Sequence, residues 1–155
     1  MGGLYERPEK PFKTERFLPR MKGIADTGFL VAFANRLDED HDWAVSLANQ
    51  LTEPLLTCEA VMAETAFHLH DSRIVLGMID DQLVTLAFNC LDHLPQLTDL
   101  ADRYADRKPD IADLCLIRMS ELYPAHKVIT LDVKDFRVYR RNKRDVIPII
   151  CPPKL

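Results

Sequence analysis

The sequence predicts an α/β fold in which helices connect the strands of a mostly parallel central sheet. From Gly23 onward, short apolar strand-like segments alternate with longer segments whose apolar residues recur at helical spacing. This alternation is typical of βαβ units, whose strands run parallel. Asp26 and Asp132 each follow a predicted strand, and parallel sheets bind ligands at the carboxyl ends of their strands. The fold class therefore also indicates where a functional site lies.

The first half of the chain holds two predicted strands and four predicted helices. Trp43, Leu47 and Leu51 fall on one side of a helix. Thr57 is predicted to cap the helix that follows the second strand. The elements are, in order, a strand at 22–26, a helix at 29–34, a helix at 40–51, a strand at 55–56, a helix from Thr57 to near His70, and a short helix at 72–82.

The second half begins with a strand and contains the most amphipathic segment of the chain. Leu94, Leu97 and Leu100 lie on one side of that helix. The helix after it is apolar nearly all round, so we expect it to be buried. The elements are a strand at 83–88, a helix at 92–105, a helix from Asp110 to near Leu122, a strand at 127–131, and a final edge hairpin or strand drawn from 137–139 and 146–150.

Composition indicates one globular domain with a substantial core. The chain has 155 residues, of which 47% are hydrophobic and 28% charged. Residues 1–21 hold three prolines and many charges without periodicity, which predicts an extended basic arm, with disorder as an alternative. The folded domain is predicted over residues 22–155. All apolar runs are shorter than the ~20 residues that cross a bilayer, so no membrane association is expected.

The cysteines and the first residues indicate a compartment. The four cysteines, Cys58, Cys90, Cys115 and Cys151, lack the paired spacing of a zinc site. No apolar stretch typical of a signal peptide follows the first charge. A reducing cytoplasm is therefore the predicted location.

The charge distribution is uneven although the net charge is only −4. Residues 134–145 hold six basic residues against two acids, and residues 1–22 hold six against three. Such a basic stripe is sufficient to hold a phosphate backbone. It is equally typical of a solvated edge that discourages strand pairing, and the sequence leaves both interpretations open.

Four carboxylates stand in unusually apolar surroundings: Asp26, Glu64, Asp113 and Asp132. Acids with such neighbours are drawn toward the interior, where like charges repel unless a cation joins them. A divalent metal is the simplest cation for this purpose, and oxygen ligands favour Mg²⁺ or Mn²⁺. Such a site indicates phosphoryl-transfer chemistry, most simply cleavage of a phosphodiester.

Each acid also has an ordinary structural explanation. Asp26 suits a helix N-cap, and Asp132 suits a turn after a strand. Asp110 and Asp113 have the spacing of a capping box, in which one residue caps and the other faces the site; we favour Asp113 as the ligand. Glu64 has His68 one turn later on the same helix face, as in an ordinary i,i+4 pair. The metal hypothesis rests on all four acids interrupting the segments best suited to the core.

The order of four short segments resembles that of the PIN-domain nucleases, in particular the VapC-like toxins of bacterial toxin–antitoxin pairs. The segments are Ile24-Ala-Asp-Thr-Gly-Phe-Leu, Glu59-Ala-Val-Met-Ala-Glu-Thr-Ala, Pro109-Asp-Ile-Ala-Asp-Leu and Ile129-Thr-Leu-Asp-Val-Lys-Asp-Phe. The acidic stretch that begins at Asp38 also resembles the segment after the family's first acid. The resemblance extends over residues 22–150.

The resemblance implies a three-layer α/β/α sandwich and a cytoplasmic, metal-dependent endoribonuclease that forms homodimers and is blocked by a cognate antitoxin. It implies that the four acids above are the catalytic, metal-binding quartet around Mg²⁺ or Mn²⁺. Asp110 and Asp135 match acids found beside that quartet, and Thr27 and Thr130 match hydroxyl positions that orient a carboxylate or phosphate. RNA is the implied substrate.

Contacts to the RNA backbone are predicted from basic residues near the third acid and in the basic stripe. A solvated loop is an equal alternative for the first group. None of the histidines is needed as a base. The predicted substrate-binding residues are Arg103, Arg107, Lys108, Arg140 and Arg141.

Two other functional classes compete with this hypothesis. A non-catalytic PIN-like module would bind RNA or protein without cutting. A phosphatase of the haloacid-dehalogenase type would need an Asp-x-Asp element after the first strand, and Asp26 is followed by Thr27 and Gly28 instead. A glycine-rich phosphate loop is also missing.

Overall fold

The structure, a computed structural model, describes residues 21–153 of the chain. It contains seven strands and seven α-helices in those residues. The strands are β1 (Gly23–Ala25), β2 (Leu55–Thr57), β3 (Val84–Leu86), β4 (Lys127–Ile129), β5 (Arg140–Arg141), β6 (Asp145–Val146) and β7 (Ile149–Ile150). The helices are α1 (Thr27–Ala34), α2 (His41–Ala48), α3 (Glu59–Leu69), α4 (Ser72–Asp80), α5 (Leu94–Arg103), α6 (Ile111–Leu122) and α7 (Val133–Phe136), with a 3₁₀ helix at Cys90–His93 before α5.

Five strands form one parallel sheet in the order β3-β2-β1-β4-β7. The chain first adds strands on one side of β1 and then crosses to the other side, so the order reverses between β1 and β4. The register pairs Ala25 with Ile129, the last residues of these two strands. A crevice opens where the strand order reverses in such sheets, at the carboxyl ends. Helices flank the sheet in a three-layer α/β/α sandwich, which confirms the predicted fold class.

The core lies between the sheet and the helices on its faces. Ile24, Phe29, Leu116 and Ile117 are fully buried there. Burial of α6 agrees with its apolar sequence, although Ile111, its first residue, is 61% exposed. No helix in residues 21–153 combines the length and apolarity that crossing a bilayer requires.

The structure corrects two local predictions. Thr57 does not cap a helix: it ends β2, and its hydroxyl donates to the carbonyl of Ala25 over 3.0 Å, while Cys58 takes the N-cap position. Residues 137–139 form no strand, because α7 ends there and the hairpin begins at Arg140. Strands β5 and β6 form this antiparallel hairpin, and β7 becomes the edge of the main sheet. The predicted N-terminal arm lies outside the described residues except Met21, which bridges to Leu51.

Candidate metal centre

Asp26 lies at the carboxyl end of the central strand β1, where it is also the N-cap of α1. One carboxylate oxygen, Oδ1, accepts a 2.7 Å hydrogen bond from the backbone N–H of Thr27. The other, Oδ2, accepts a 2.6 Å bond from the hydroxyl of Thr130, which follows the neighbouring strand β4. The side chain is thus fixed by groups from two adjacent strand ends.

The surroundings of Asp26 disfavour its charge. The residue is only 8% exposed. Burial raises the pKa of its carboxyl to about 6, although the hydrogen bonds from Thr130 and Thr27 oppose that rise, and the negative charges of Glu64 and Asp132 add to it. A cation at this position would remove the conflict.

Asp113 lies in the first turn of α6, and its neighbour Asp110 caps that helix. Asp110 Oδ1 accepts a 2.8 Å bond from the backbone N–H of Asp113. The Asp113 carboxylate is therefore not used in capping, and its Oδ2 accepts a 2.9 Å bond from the hydroxyl of Tyr139. Burial, followed by the charge of Asp110, raises the pKa of Asp113 to about 7, against the opposing effect of Tyr139.

Asp132 and Asp135 lie at the start of α7, which begins just after β4. Asp132 is the N-cap, and its Oδ1 accepts from the backbone N–H of Asp135 over 3.3 Å. Burial raises the pKa of Asp132, and the charges of Asp135 and Asp110 reinforce that rise, while the N–H of Asp135 opposes it. Asp135 itself pairs with Arg107, whose Nη1 lies 2.7 Å from its Oδ1. Helix α7, which the sequence did not predict, thus determines where Asp132 and Asp135 lie.

Glu64 joins the cluster from the middle of α3. Burial and the charge of Asp110 raise its pKa, and His68, one turn later, opposes the rise. The nearby hydroxyl of Thr27 also lowers the pKa of Glu64. This hydroxyl is buried and makes no hydrogen bond of normal geometry with another described residue. An oxygen donor is thus available beside Glu64.

These side chains line one cavity of about 460 Å³ at the carboxyl edge of the sheet. Seven of its lining residues are acids, against one arginine and one lysine. The lining residues are Asp26, Thr27, Gly28, Val31, Asp38, Glu64, His68, Arg107, Lys108, Pro109, Asp110, Asp113, Leu131, Asp132, Asp135 and Tyr139. All four predicted quartet acids are among them.

The donor set fits a hard divalent cation. Carboxylate oxygens of Asp113, Asp132 and Asp135 lie within 4.8 Å of one another, which is close enough for one ion to contact several of them. Asp26 and Glu64 line the same cavity outside this closest group. Carboxylates are ligands that Mg²⁺ and Mn²⁺ prefer. The Thr27 hydroxyl, which has no hydrogen-bond partner among residues 21–153, is a further oxygen donor in this cavity.

The predicted supporting and substrate-binding residues divide into two groups by position. Thr27, Asp110, Asp135, Arg107 and Lys108 line the cavity. Thr130 is fully buried and supports the site from below, since its hydroxyl donates to Asp26 and accepts from the backbone N–H of Asp132 over 2.9 Å.

Three predicted substrate contacts lie away from the cavity wall. Arg103 pairs with Asp99 over 2.7 Å on α5. The Arg140 guanidinium donates to the carbonyls of Arg137, Val138 and Tyr139 at the end of α7. The Arg141 guanidinium donates to the carbonyls of Ser120 and Pro124 near the end of α6. Backbone carbonyls at helix ends attract cations, so Arg140 and Arg141 have structural contacts of their own.

Sequence analysis missed two side chains of this site. Tyr139 contacts Asp113 only because α7 turns the chain back, and no local pattern marks that contact. His68 lines the cavity beside Glu64. Its i,i+4 spacing from Glu64 did place the two on one helix face, and that was a usable signal.

The fold and the cavity together define an α/β domain with a cluster of acidic side chains at the reversal point of a parallel sheet. The sequence model of the PIN domain matches residues 24–142, and the chain belongs to the PIN-domain family. PIN domains are generally nucleases that use divalent metals, so the fold is of a nuclease type and the acidic cluster agrees with it. No curated protein gives a significant match to the chain.

Proposed function

We propose that this protein is a divalent-metal-dependent endoribonuclease. The supporting observation is the convergence of Asp26, Glu64, Asp113 and Asp132, from four separate segments, on one cavity in which the pKa of each is raised. Asp26 is buried, Glu64 and Asp113 are half-buried and Asp132 is exposed, yet the pKa of each is raised, and acids with such shifts in one cavity are typical of active sites.

In this proposal the quartet holds Mg²⁺ or Mn²⁺, with Asp110 and Asp135 as supporting acids. A bound divalent ion would activate water and draw charge from the phosphoryl oxygens. Thr130 fixes Asp26 by its 2.6 Å hydrogen bond, and Tyr139 fixes Asp113 by its 2.9 Å hydrogen bond. Preorganised carboxylates need no rearrangement when substrate arrives.

The cations of the cavity wall support a nucleic-acid substrate. Arg107 is held by Asp135, so part of its charge is already neutralised. Lys108 makes no ion pair among residues 21–153, and it is an exposed residue of the cavity lining. An unpaired ammonium in the same cavity as a carboxylate cluster is suited to a phosphate oxygen next to the scissile bond.

We further propose that the protein is a cytoplasmic, homodimeric toxin of the VapC type with a cognate antitoxin. Exposed apolar side chains next to the cavity support a protein partner. Phe67, 72% exposed, follows Glu64 by three residues in α3, and Ile111, 61% exposed, follows Asp110. A short apolar helix from a partner would cover them. Light scattering tests the dimer, and co-purification with the product of a neighbouring gene tests the antitoxin.

The activity is tested by cleavage of a structured RNA and of DNA of the same sequence, with Mn²⁺ or with EDTA. The wild type is expected to cut only the RNA and only with metal. Asp26→Asn is the inactive variant, because it keeps the N-cap but removes a charge from the cavity. Asp71→Asn is the matched control, since Asp71 is the N-cap of α4 and lies outside the cavity lining.

Two results would contradict the proposal. Equal cleavage by the wild type and Asp26→Asn would show that a contaminating nuclease is responsible. No heat of Mn²⁺ binding at millimolar metal in calorimetry would instead favour a non-catalytic PIN-like module that binds RNA or protein.

A further inference from the structure

Three of the four cysteines meet in one cluster, which we call the thiol cluster: Cys58, Cys90 and Cys115. Cys58 precedes α3, Cys90 begins the 3₁₀ helix and Cys115 lies on α6. The sulfur atoms of Cys90 and Cys115 are 3.5 Å apart. Cys58 also interacts with Cys115: the Cys58 thiol, followed by burial, raises the pKa of the Cys115 thiol.

The members of the cluster differ in access. A second cavity, of about 570 Å³, is lined by Cys58, Cys90, Phe88 and His93 but not by Cys115. Cys115 is fully buried, Cys58 is 1% exposed, and Cys90 is half-buried. A small reagent that enters this cavity therefore meets Cys90 as the most accessible thiol, with Cys115 directly behind it.

We propose that Cys90 and Cys115 are a redox modification site, at which a hydroperoxide produces an intrachain disulfide. In the first step Cys90 Sγ attacks hydrogen peroxide, the O–O bond breaks, and a sulfenic acid and one water form. In the second step Cys115 Sγ attacks the Cys90 sulfur, an S–S bond forms, and hydroxide leaves to take up the thiol proton as a second water. Two thiols are oxidised and one peroxide is reduced.

The positions of the two residues permit this bond. A disulfide needs the sulfurs at ~2.05 Å, so the contact has to close by roughly 1.5 Å. Cys115 is fixed in the core helix α6, whereas Cys90 lies in a four-residue 3₁₀ helix at the surface, where Leu91 is 72% exposed. A short surface element with few buried side chains can supply the movement. The disulfide would link the 3₁₀ helix to α6, the helix that carries Asp113.

Peptide mapping tests the proposal on the full chain. The reduced protein is treated with hydrogen peroxide in EDTA, the remaining thiols are blocked with N-ethylmaleimide, and the unreduced digest is analysed by mass spectrometry. A Cys90–Cys115 peptide that disappears on reduction is expected. Full blocking of both thiols after treatment, a Cys58–Cys115 link, or sulfinic acid on Cys90 without a link would each overturn the proposal.

Matched variants identify the order of the steps. Cys90→Ser is expected to abolish the link, and Cys151→Ser to leave its yield unchanged, because Cys151 lies outside the cluster. In Cys115→Ala the sulfenic acid cannot be resolved by Cys115, so dimedone is expected to label Cys90. Dimedone labelling of Cys58 or Cys151 in place of Cys90 would contradict the assignment. The readout is the link itself, so its outcome is independent of nuclease activity.

Discussion

The Tyr139 hydroxyl donates a 2.9 Å hydrogen bond to Oδ2 of Asp113, joining the end of α7 to the first turn of α6. Tyr139 is 1% exposed, and its ring packs edge-on against Tyr104 and Phe136. The hydroxyl therefore has little freedom to turn away. It leaves Oδ1 of Asp113 available and determines the direction in which that oxygen points.

Tyr139→Phe is expected to weaken Mn²⁺ binding by about 10-fold or more, because groups that orient a ligand have effects of that size when removed. Calorimetry of Mn²⁺ binding is the measurement. The unfolding free energy of the metal-free protein should change by only about 1 kcal/mol, the usual net value of one hydrogen bond.

Tyr104→Phe is the matched control for Tyr139→Phe. Its hydroxyl is also in the core layer around α7, but it accepts from the backbone N–H of Arg140 over 2.8 Å and does not line the cavity. Equal loss of Mn²⁺ affinity in both variants would mean that general packing, and not the Asp113 contact, is responsible.

The metal-free protein is expected to lose stability as the pH rises through the range in which Asp26 ionises. Its pKa is about 6 in the folded protein against an ordinary 3.8. Between those values the folded state holds a proton that the unfolded chain has released, so stability is greatest below this range, declines within it, and stays at the lower level above it. The pKa difference of Asp26 corresponds to on the order of 3 kcal/mol of unfolding free energy. The pKa of Asp113 is also raised, so its ionisation lowers stability in the same direction.

Urea unfolding in EDTA at about pH 5 and about pH 8 measures this effect. Asp26→Asn has no charge to bury, so its stability should exceed that of the wild type by more at the higher pH than at the lower pH, where only part of the difference has developed. Asp71→Asn should show no such gain, because Arg73 lowers the pKa of the half-buried Asp71 carboxyl. A wild type that is more stable at the higher pH would contradict the assigned burial of Asp26.

The sequence predicts the position of the site better than its details. Asp26 and Asp132 follow strands, and parallel strands whose ends meet at one edge bring such residues together, so their grouping needs only the fold class. The spacing of Asp110 and Asp113 predicts that one of them caps α6, and the structure gives the cap to Asp110. The role of Asp113 as a metal ligand stays a prediction. The strand alternation likewise predicts the parallel sheet.

What the sequence could not supply depends on tertiary contacts. Thr57 has the composition of a cap, yet it remains in β2 because its hydroxyl binds the carbonyl of Ala25 on the adjacent strand. Arg140 and Arg141 have the charge of nucleic-acid contacts, but their guanidinium groups lie against the carbonyls at helix ends. A charge pattern alone does not show which partner a guanidinium meets.

Gly23→Ala is expected to destabilise the protein by about 1–3 kcal/mol. A Cβ at this position would lie 2.6 Å from Cδ1 of Ile129 and 2.9 Å from Cδ2 of Leu55, inside the contact between β1 and its two neighbours. Both side chains are fully buried and have no free direction in which to move. Urea unfolding in EDTA measures the loss.

Gly28→Ala is the comparison for Gly23→Ala. The nearest atoms to a Cβ there are 3.0 Å away, and all three belong to Leu131, which is only half-buried and can yield. Alanine also favours the start of α1 relative to glycine by about 0.5–1 kcal/mol. Similar losses in both variants would mean that backbone flexibility, and not the crowded sheet, decides the cost.

Lys108→Gln is expected to weaken RNA binding and to reduce its dependence on salt. Lys108 is the cation on the cavity wall that has no ion-pair partner among the described residues, so its charge is available to a phosphate. Loss of one phosphate contact should lower the slope of log affinity against log salt by about 1. Binding is measured by fluorescence anisotropy in the Asp26→Asn background, which prevents cleavage.

Arg103→Gln in the same background shows whether position or charge alone matters. It removes the same formal charge, but Arg103 is paired with Asp99 and lines a different cavity, beside Arg118 and Glu121. Its effect on the salt slope should therefore be clearly smaller than that of Lys108→Gln. An equal or larger effect of Arg103→Gln would place the RNA path across α5 and away from the acidic cavity, so that Lys108 would no longer be its main phosphate contact.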